Sequence, residues 1–189
     1  MIRMGTDYHN ISDNALWALL VKGDINAGGV LYEKYYELLF NYGIKFCSDA
    51  DFVKDCIQEL FVRLYGVKKQ ADVEHVRAYL LRCLRNLMFD RHASKSKTVP
   101  YEQLSFNIFD IEIVEPQSND PTDEVLKVRK QLSAARSTLT ERQAQIIYLR
   151  FVRGLSYKEI ATVLEMNVQS AMNSVNRAMT KLRNFMKKQ

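Results

Sequence analysis

Residues 139–182 read LTERQAQIIYLRFVRGLSYKEIATVLEMNVQSAMNSVNRAMTKL, and their punctuation decides the fold. Thr140-Glu141-Arg142-Gln143 and Ser156-Tyr157-Lys158-Glu159 are both capping-box patterns. In each, a hydroxyl can accept from the backbone N–H three residues on, and the Gln or Glu found there can reach back to the cap's own N–H. The first box predicts a helix that carries Ile146, Ile147, Leu149 and Arg150 and stops before Gly154, which tolerates the left-handed turn at a helix end. The second starts a short helix through Ile160, Ala161 and Leu164. Asn167 caps a third, whose apolar stripe is Val168, Ala171, Val175, Ala178 and Leu182. Two amphipathic helices joined at Glu165-Met166 make a helix-turn-helix candidate.

A helix that reads duplex DNA must fit the major groove and present polar side chains near its N-terminal end. Gln169, Ser170, Asn173 and Asn176 lie off the apolar stripe of the last helix, and Arg177 and Lys181 follow where phosphates would run. An ordinary helical hairpin with a polar outside has the same periodicity, so the pattern alone leaves both readings open. Charge leans towards a polyanion. Residues 126–189 carry 13 basic against 3 acidic side chains, net +10, whereas residues 1–95 are nearly neutral at +1 and residues 96–125 hold −6.

Upstream, periodicity fails from about Ala93 to Thr122, where Pro116, Pro121 and most of the acidic surplus lie. A flexible acidic linker over 96–121 is expected there, between an N-terminal domain at 1–95 and a C-terminal domain at 122–189. The short apolar pieces Phe106, Ile108, Phe109, Ile111, Ile113 and Val114 are candidates to dock on a domain or on a partner.

The first 95 residues read as four helices. Ser12 or Asp13 caps a short one through Leu16, Leu19 and Leu20, ending near Gly23. A longer one carries Leu31, Tyr35, Leu38, Leu39, Tyr42 and Phe46. The third carries Val53, Ile57, Leu60, Phe61 and Leu64; a polar loop from Gly66 to Asp72 follows. The fourth carries Val76, Tyr79, Leu80, Cys83, Leu84, Leu87 and Met88. Each has one apolar face, which predicts a bundle. The fold class is therefore all-α, with two helical domains. With 7 Gly and 3 Pro in 189 residues, composition agrees with long helices.

No apolar run approaches the roughly 18 residues a membrane span needs, and the polar N-terminus carries no signal-peptide pattern. Cytoplasmic placement is the expectation. Cys47, Cys56 and Cys83 are far apart and form no CxxC pair, so they read as buried free thiols with no metal and no cofactor implied. His9, His75 and His92 are scattered. No nucleophile–base pair or phosphate loop stands out, so an enzyme is not expected.

The residues carry a family resemblance. Leu139 to Phe151, then Gly154-Leu155-Ser156-Tyr157-Lys158-Glu159-Ile160-Ala161, and Val168 through Arg183, resemble region 4 of bacterial sigma factors. Asp55-Cys56-Ile57-Gln58-Glu59-Leu60-Phe61, Arg77-Ala78-Tyr79-Leu80, Arg85-Asn86 and Asp90-Arg91 resemble region 2. A short chain with only these two regions is similar to the extracytoplasmic-function (ECF) group. The resemblance implies two helical domains, a sigma factor that brings core RNA polymerase to promoter DNA and helps open it, and the option of an anti-sigma factor as partner. It implies that Asp55, Gln58 and Glu59 dock on the polymerase. It further implies that Lys68, Lys69, Arg77, Arg82, Arg85, Asn86 and Arg91 hold melted minus-ten DNA, and that Gln169, Ser170, Asn173, Asn176, Arg177 and Lys181 meet the minus-thirty-five duplex. Two departures from the family pattern matter: Glu165 stands where the turn often has Gly, and Met172 and Ser174 stand where Lys or Arg is frequent. The alternative is a stand-alone helix-turn-helix regulator; the Asp55/Gln58/Glu59 and Arg85/Asn86 signatures argue against it.

Overall fold

The computed structural model describes residues 8–66, 73–95, 104–107 and 138–187. They fall in two compact units, Met1–Leu104 and Ser105–Gln189. Every regular element among the described residues is helical.

The first unit contains, after a short 3-10 turn at Tyr8–Asn10, α1 (Asp13–Val21), α2 (Ile25–Gly43), α3 (Ala50–Gly66) and α4 (Val76–Lys95). Local hydrogen bonds start three of them. Ser12 Oγ accepts from Ala15 N–H at 3.3 Å. Asp24 Oδ1 accepts from Asn26 and Ala27, and Asp49 Oδ1 accepts from Asp51 and Phe52. Asp24 has a second task, because Tyr8 donates to its other oxygen at 2.8 Å. That bond, with those from the helix N–H groups, holds the carboxyl below its ordinary pKa.

The expected stripes meet in one core. Leu16 and Leu20 of α1, Leu31, Leu39 and Tyr42 of α2, Val53, Ile57 and Leu60 of α3, and Leu80, Leu84 and Met88 of α4 are all buried. Ala78 and Leu81 are buried as well, so α4 is covered over a wider arc than its sequence stripe suggested. Tyr79 and Cys83 are only half-buried; Tyr79 packs edge-on to Trp17 with ring centroids 5.0 Å apart. Burial, with Cys83 alongside, pushes the Tyr79 phenol up to about 12. Of the three thiols, Cys56 is buried and Cys47 and Cys83 are half-buried; none forms a disulfide among the described residues.

Antiparallel packing of α2 on α3 depends on two glycines. Gly28, near the start of α2, lies under the Tyr65 ring near the end of α3, and Gly43, at the end of α2, lies against Val53 near the start of α3. A Cβ at Gly43 would stand 2.6 Å from Val53 Cγ1 and 3.5 Å from Met88 Sδ. Val53 is fully buried and, as a β-branched residue in a helix, has one strongly preferred rotamer, so it does not turn aside cheaply. Gly43→Ala is therefore expected to destabilise this unit by about 1–3 kcal/mol. An unshifted denaturation midpoint for the variant would show that the α2–α3 contact yields freely.

The second unit contains α5 (Glu141–Ile147), which runs into a π turn at Tyr148–Val152, then α6 (Tyr157–Val163) and α7 (Val168–Met186). Both capping boxes close in both directions, Thr140 with Gln143 and Ser156 with Glu159. Asn167 Oδ1 accepts from Ser170 N–H at 2.7 Å. Gly154 follows the helix end with φ +65°. Ile146, Leu149, Leu155, Ile160, Val163, Ala171, Val175 and Ala178 form the core. Phe106, from the stretch read as linker, joins this core: its ring meets Tyr148 edge-on at a centroid distance of 5.6 Å. Ile108, Phe109, Ile111, Ile113 and Val114 lie outside the described residues. Two stripe positions depart from expectation. Val168 is 40% exposed, because it is the first residue of α7, and Leu182 is only half-buried.

Candidate nucleic-acid interface

Three exposed surfaces emerge from these elements. On α3, Asp55 and Gln58 are exposed, as the i, i+3 spacing beside a buried Ile57, Leu60 and Phe61 requires. Glu59 is different. It is half-buried, and its two oxygens are held by Arg63 at 2.5 Å and by Arg91 Nε of α4 at 3.1 Å. Arg91 also reaches Cys56 Sγ at 3.9 Å through NH1. That bond raises the guanidinium pKa, while burial drives the Cys56 thiol up. Arg91, expected on the DNA side, is thus turned towards the α3 carboxylate. Val62 follows Asp55, Gln58 and Glu59 at i+7 and is 68% exposed, so the polar patch ends in an apolar knob that the sequence reading did not single out.

On α4, two guanidinium–aromatic pairs lie along one side. Arg82 stands 5.1 Å over the Tyr79 ring and Arg85 stands 5.1 Å over the Phe89 ring. Arg85 NH1 donates to Asn86 Oδ1 at 3.1 Å, and its buried Nε–H has no hydrogen-bond partner among the described residues. Phe89 is neither core nor free: it is 38% exposed, with one edge on Phe46. Arg77 is half-buried on the first turn of this helix. Its charge helps hold Asp13, whose carboxyl is opposed by burial but lowered by hydrogen bonds from Lys34 and Tyr35. Lys68 and Lys69 lie outside the described residues.

In the second unit, α6 and α7 form the helix-turn-helix. The turn is a Schellman motif: Met166 N–H donates to Ala161 O at 3.0 Å, and Glu165 occupies the left-handed position with φ 52°. A side chain there is strained, which is why glycine is the usual occupant. Glu165→Gly is expected to stabilise this unit by about 0.5–1 kcal/mol, after the extra freedom glycine gives the unfolded chain. A lower midpoint for the variant would mean that the glutamate side chain contributes more than its backbone costs.

The outward side of α7 carries the expected polar set. Gln169, Asn173, Asn176, Arg177 and Lys181 are exposed and Ser170 is half-buried. Gln169 Nε2 donates to Asn173 Oδ1 at 3.1 Å. The two amides are thereby aligned, one keeping a free carbonyl and the other its N–H donors. Val168 and Met172, 40% and 36% exposed, stand among them. Lys181 is partly committed: its Nζ donates to Gln143 Oε1 at 2.9 Å.

Not all of the basic surplus of this unit faces outwards for a ligand. Arg142 donates to Leu164 O at 3.2 Å, at the end of α6, and Arg150 donates to Leu155 O at 2.8 Å while covering the Tyr157 ring. Arg153 Nε donates to Tyr148 Oη at 2.6 Å. These three satisfy loop carbonyls and a buried phenol. No local sequence signal separates them from Arg177, since their partners are chosen by the fold.

Comparison with known proteins finds relatives for both units. Family models described as Sigma-70 region 2 and Sigma-70, region 4 match residues 31–98 and 129–182. A curated relative, the ECF RNA polymerase sigma factor SigM of Bacillus subtilis (strain 168), is 21% identical over 155 residues, covering 81% of this chain and 91% of the relative. Two solved structures share the fold. CnrH, determined in complex with the cytosolic domain of CnrY, gives a TM-score of 0.60 at 22% identity, covering 93% of this chain and 97% of that one. The sigma factor RpoE from Bartonella quintana, determined with the anti-sigma factor NepR, gives 0.56 at 17% identity, covering 84% and 96%.

Proposed function

Because this chain belongs to the sigma-70 family, in its ECF group, we propose that its three exposed surfaces divide the work of promoter recognition among them. The protein directs RNA polymerase to specific promoters and assists promoter opening. It is a transcription initiation factor rather than an enzyme, and the polymerase performs the chemistry.

Asp55 and Gln58 form the docking patch for core RNA polymerase, with Val62 at its apolar end. Glu59 belongs to the same patch, presented in a fixed orientation by Arg63 and Arg91. Orienting a carboxylate beforehand reduces the entropy lost when a cationic partner takes it.

The side of α4 with Arg82, Arg85, Asn86 and Phe89 receives the melted minus-ten strand, together with Arg77, Lys68 and Lys69, whereas Arg91, paired with Glu59, serves the docking patch instead. Guanidinium and aromatic planes in alternation offer stacking to unpaired bases and charge to their backbone. Arg85, with an unpartnered Nε–H, has a donor left for a phosphate once the side chain turns outwards.

Helix α7 enters the minus-thirty-five major groove. Gln169 and Asn173 read base edges, with Ser170 and Asn176 beside them, and Arg177 and Lys181 hold phosphates. The exposed apolar pair Val168 and Met172 suits thymine methyl groups, which balances the scarcity of charged readers on this helix.

The observation that carries this reading is the pairing of an oriented acidic patch on α3 with a helix-turn-helix whose reading face is free of the core. The Bartonella relative was determined with an anti-sigma factor, and an anti-sigma factor is the regulatory partner we assign to this chain. Among the described residues no helix is long and apolar enough to cross a membrane, and a cytoplasmic site of action fits its partners. Co-purification with core RNA polymerase, followed by transcription from a library of promoter fragments, tests the whole scheme. Stable association and new, sequence-defined start sites are expected. Duplex binding without polymerase association would replace it with a stand-alone regulator.

A further inference from the structure

We infer that the polymerase-docking surface extends from α3 across the seam with α2, and that this wider strip receives a basic amphipathic segment of core RNA polymerase. The inference rests on the reading above, in which Asp55 and Gln58 meet the polymerase, and it widens that footprint.

An aromatic ladder runs along α2. Tyr32, Tyr36 and Phe40 stand at i, i+4 and i+8 and are all half-buried, and residues at this spacing share one side of a helix. The ring centroids of Tyr32 and Tyr36 are 5.5 Å apart, and Tyr36 stacks on Phe40 at 6.1 Å. Tyr32 also meets the buried Phe61 of α3 edge-on at 5.1 Å. Phe61 is one turn from Gln58 and one turn from Tyr65, so the ladder lies beside the outward stripe of α3. That stripe, Asp55, Gln58, Val62 and Tyr65, is exposed throughout. At its far end Tyr65 lies on Gly28 and donates from its hydroxyl to Ile25 O at 3.4 Å. The apolar surface thereby continues to Ile25, which is 73% exposed. Half-exposed tyrosines, apolar in body and polar at the tip, are the side chains that anchor interfaces best.

Carboxylates border this strip on both sides. Glu33 and Glu37 are exposed on α2, each next in sequence to a ladder tyrosine, and Asp55 and Glu59 stand on α3. Glu33 and Glu37 are one turn apart and repel each other in the free protein, a cost that a cationic partner removes. The cations nearby are already engaged, Lys54 by Asp51 at 3.0 Å and Arg63 by Glu59. An apolar centre with acidic edges fits a segment whose apolar side is flanked by Lys or Arg. Continuity selects the polymerase as its source, because Gln58 belongs both to the α3 patch and to the edge of the ladder.

In the full chain, Glu33→Lys with Glu37→Lys should weaken binding to purified core polymerase by about 10- to 100-fold at low salt, and the deficit should shrink as salt rises. Duplex binding by α7 should stay as in the wild type. Tyr36→Ala should weaken polymerase binding about tenfold, and Tyr36→Phe should keep most of it. A ladder that merely covers the seam would lower the melting temperature of Tyr36→Ala and leave the folded variant's polymerase affinity untouched. That result would overturn the inference, as would wild-type binding by the double glutamate variant.

A photo-crosslinking benzoylphenylalanine in place of Glu37, irradiated in the complex with purified core polymerase, should label a polymerase peptide rich in Lys and Arg. Labelling of a second copy of this chain alone, or no polymerase adduct at all, puts another partner on the strip and overturns the inference. The Asp55→Ala, Gln58→Ala variant separates the two readings. If it binds polymerase at full strength, the docking reading fails and its extension with it. If it is weakened while the α2 variants bind normally, only the extension fails.

Discussion

Replacing Asp55 and Gln58 together by alanine is expected to weaken binding to core RNA polymerase by about 30- to 1,000-fold, or roughly 2–4 kcal/mol, with little change in melting temperature. Both side chains are exposed on α3, one turn apart, and neither contributes to the core beneath. Exposed substitutions of this kind normally shift stability by no more than about 0.5 kcal/mol. Glu59 is a less clean probe, because removing it also leaves Arg63 and Arg91 without their carboxylate. A titration of labelled polymerase with each variant, alongside thermal denaturation followed by circular dichroism, separates the two contributions. Full-strength binding by the double variant would take α3 out of the docking surface.

Arg177→Ala is expected to weaken minus-thirty-five duplex binding about tenfold at moderate salt, whatever the sequence. It should also flatten the slope of log affinity against log salt by about 0.9, the loss of one phosphate contact. Lys181→Ala should do less, since its ammonium is already shared with Gln143. Asn173→Ala should act differently: its salt slope stays, but discrimination at one base pair falls by about 1–3 kcal/mol. The Gln169–Asn173 hydrogen bond explains why the loss should be local. One amide then presents an acceptor and the other a donor, the pattern that an adenine edge requires. Binding isotherms at several salt concentrations on a set of single-base variants of the site measure both effects. If Arg177→Ala and Asn173→Ala both left affinity, slope and preference unchanged, α7 would not be the reading helix.

The helical architecture, the caps and the two-unit plan were legible in the residues themselves. Thr140 with Gln143, Ser156 with Glu159, and Asn167 with Ser170 are bonds between residues three apart, and the apolar stripes of α2 and α3 repeat within a turn or two. Such signals need nothing but the local chain, because a helix end must satisfy its own N–H groups and a helix face must be apolar to be buried. The outward set on α7 was legible for the same reason, being whatever the stripe leaves over.

Tertiary structure decided which charges are spent and which remain. Arg91 is paired with Glu59, 32 residues away, and Arg142 with the carbonyl of Leu164, 22 residues away. Sequence spacing treats both as equivalent to the exposed Arg177. It also decided that Gly43 must admit Val53, that Val168 is left uncovered at the start of α7, and that Phe106 belongs to Tyr148 rather than to a solvated linker. The physical reason is common to all of them. A side chain's local periodicity fixes the direction it points, but the partner waiting there comes from a distant part of the chain and is chosen by packing.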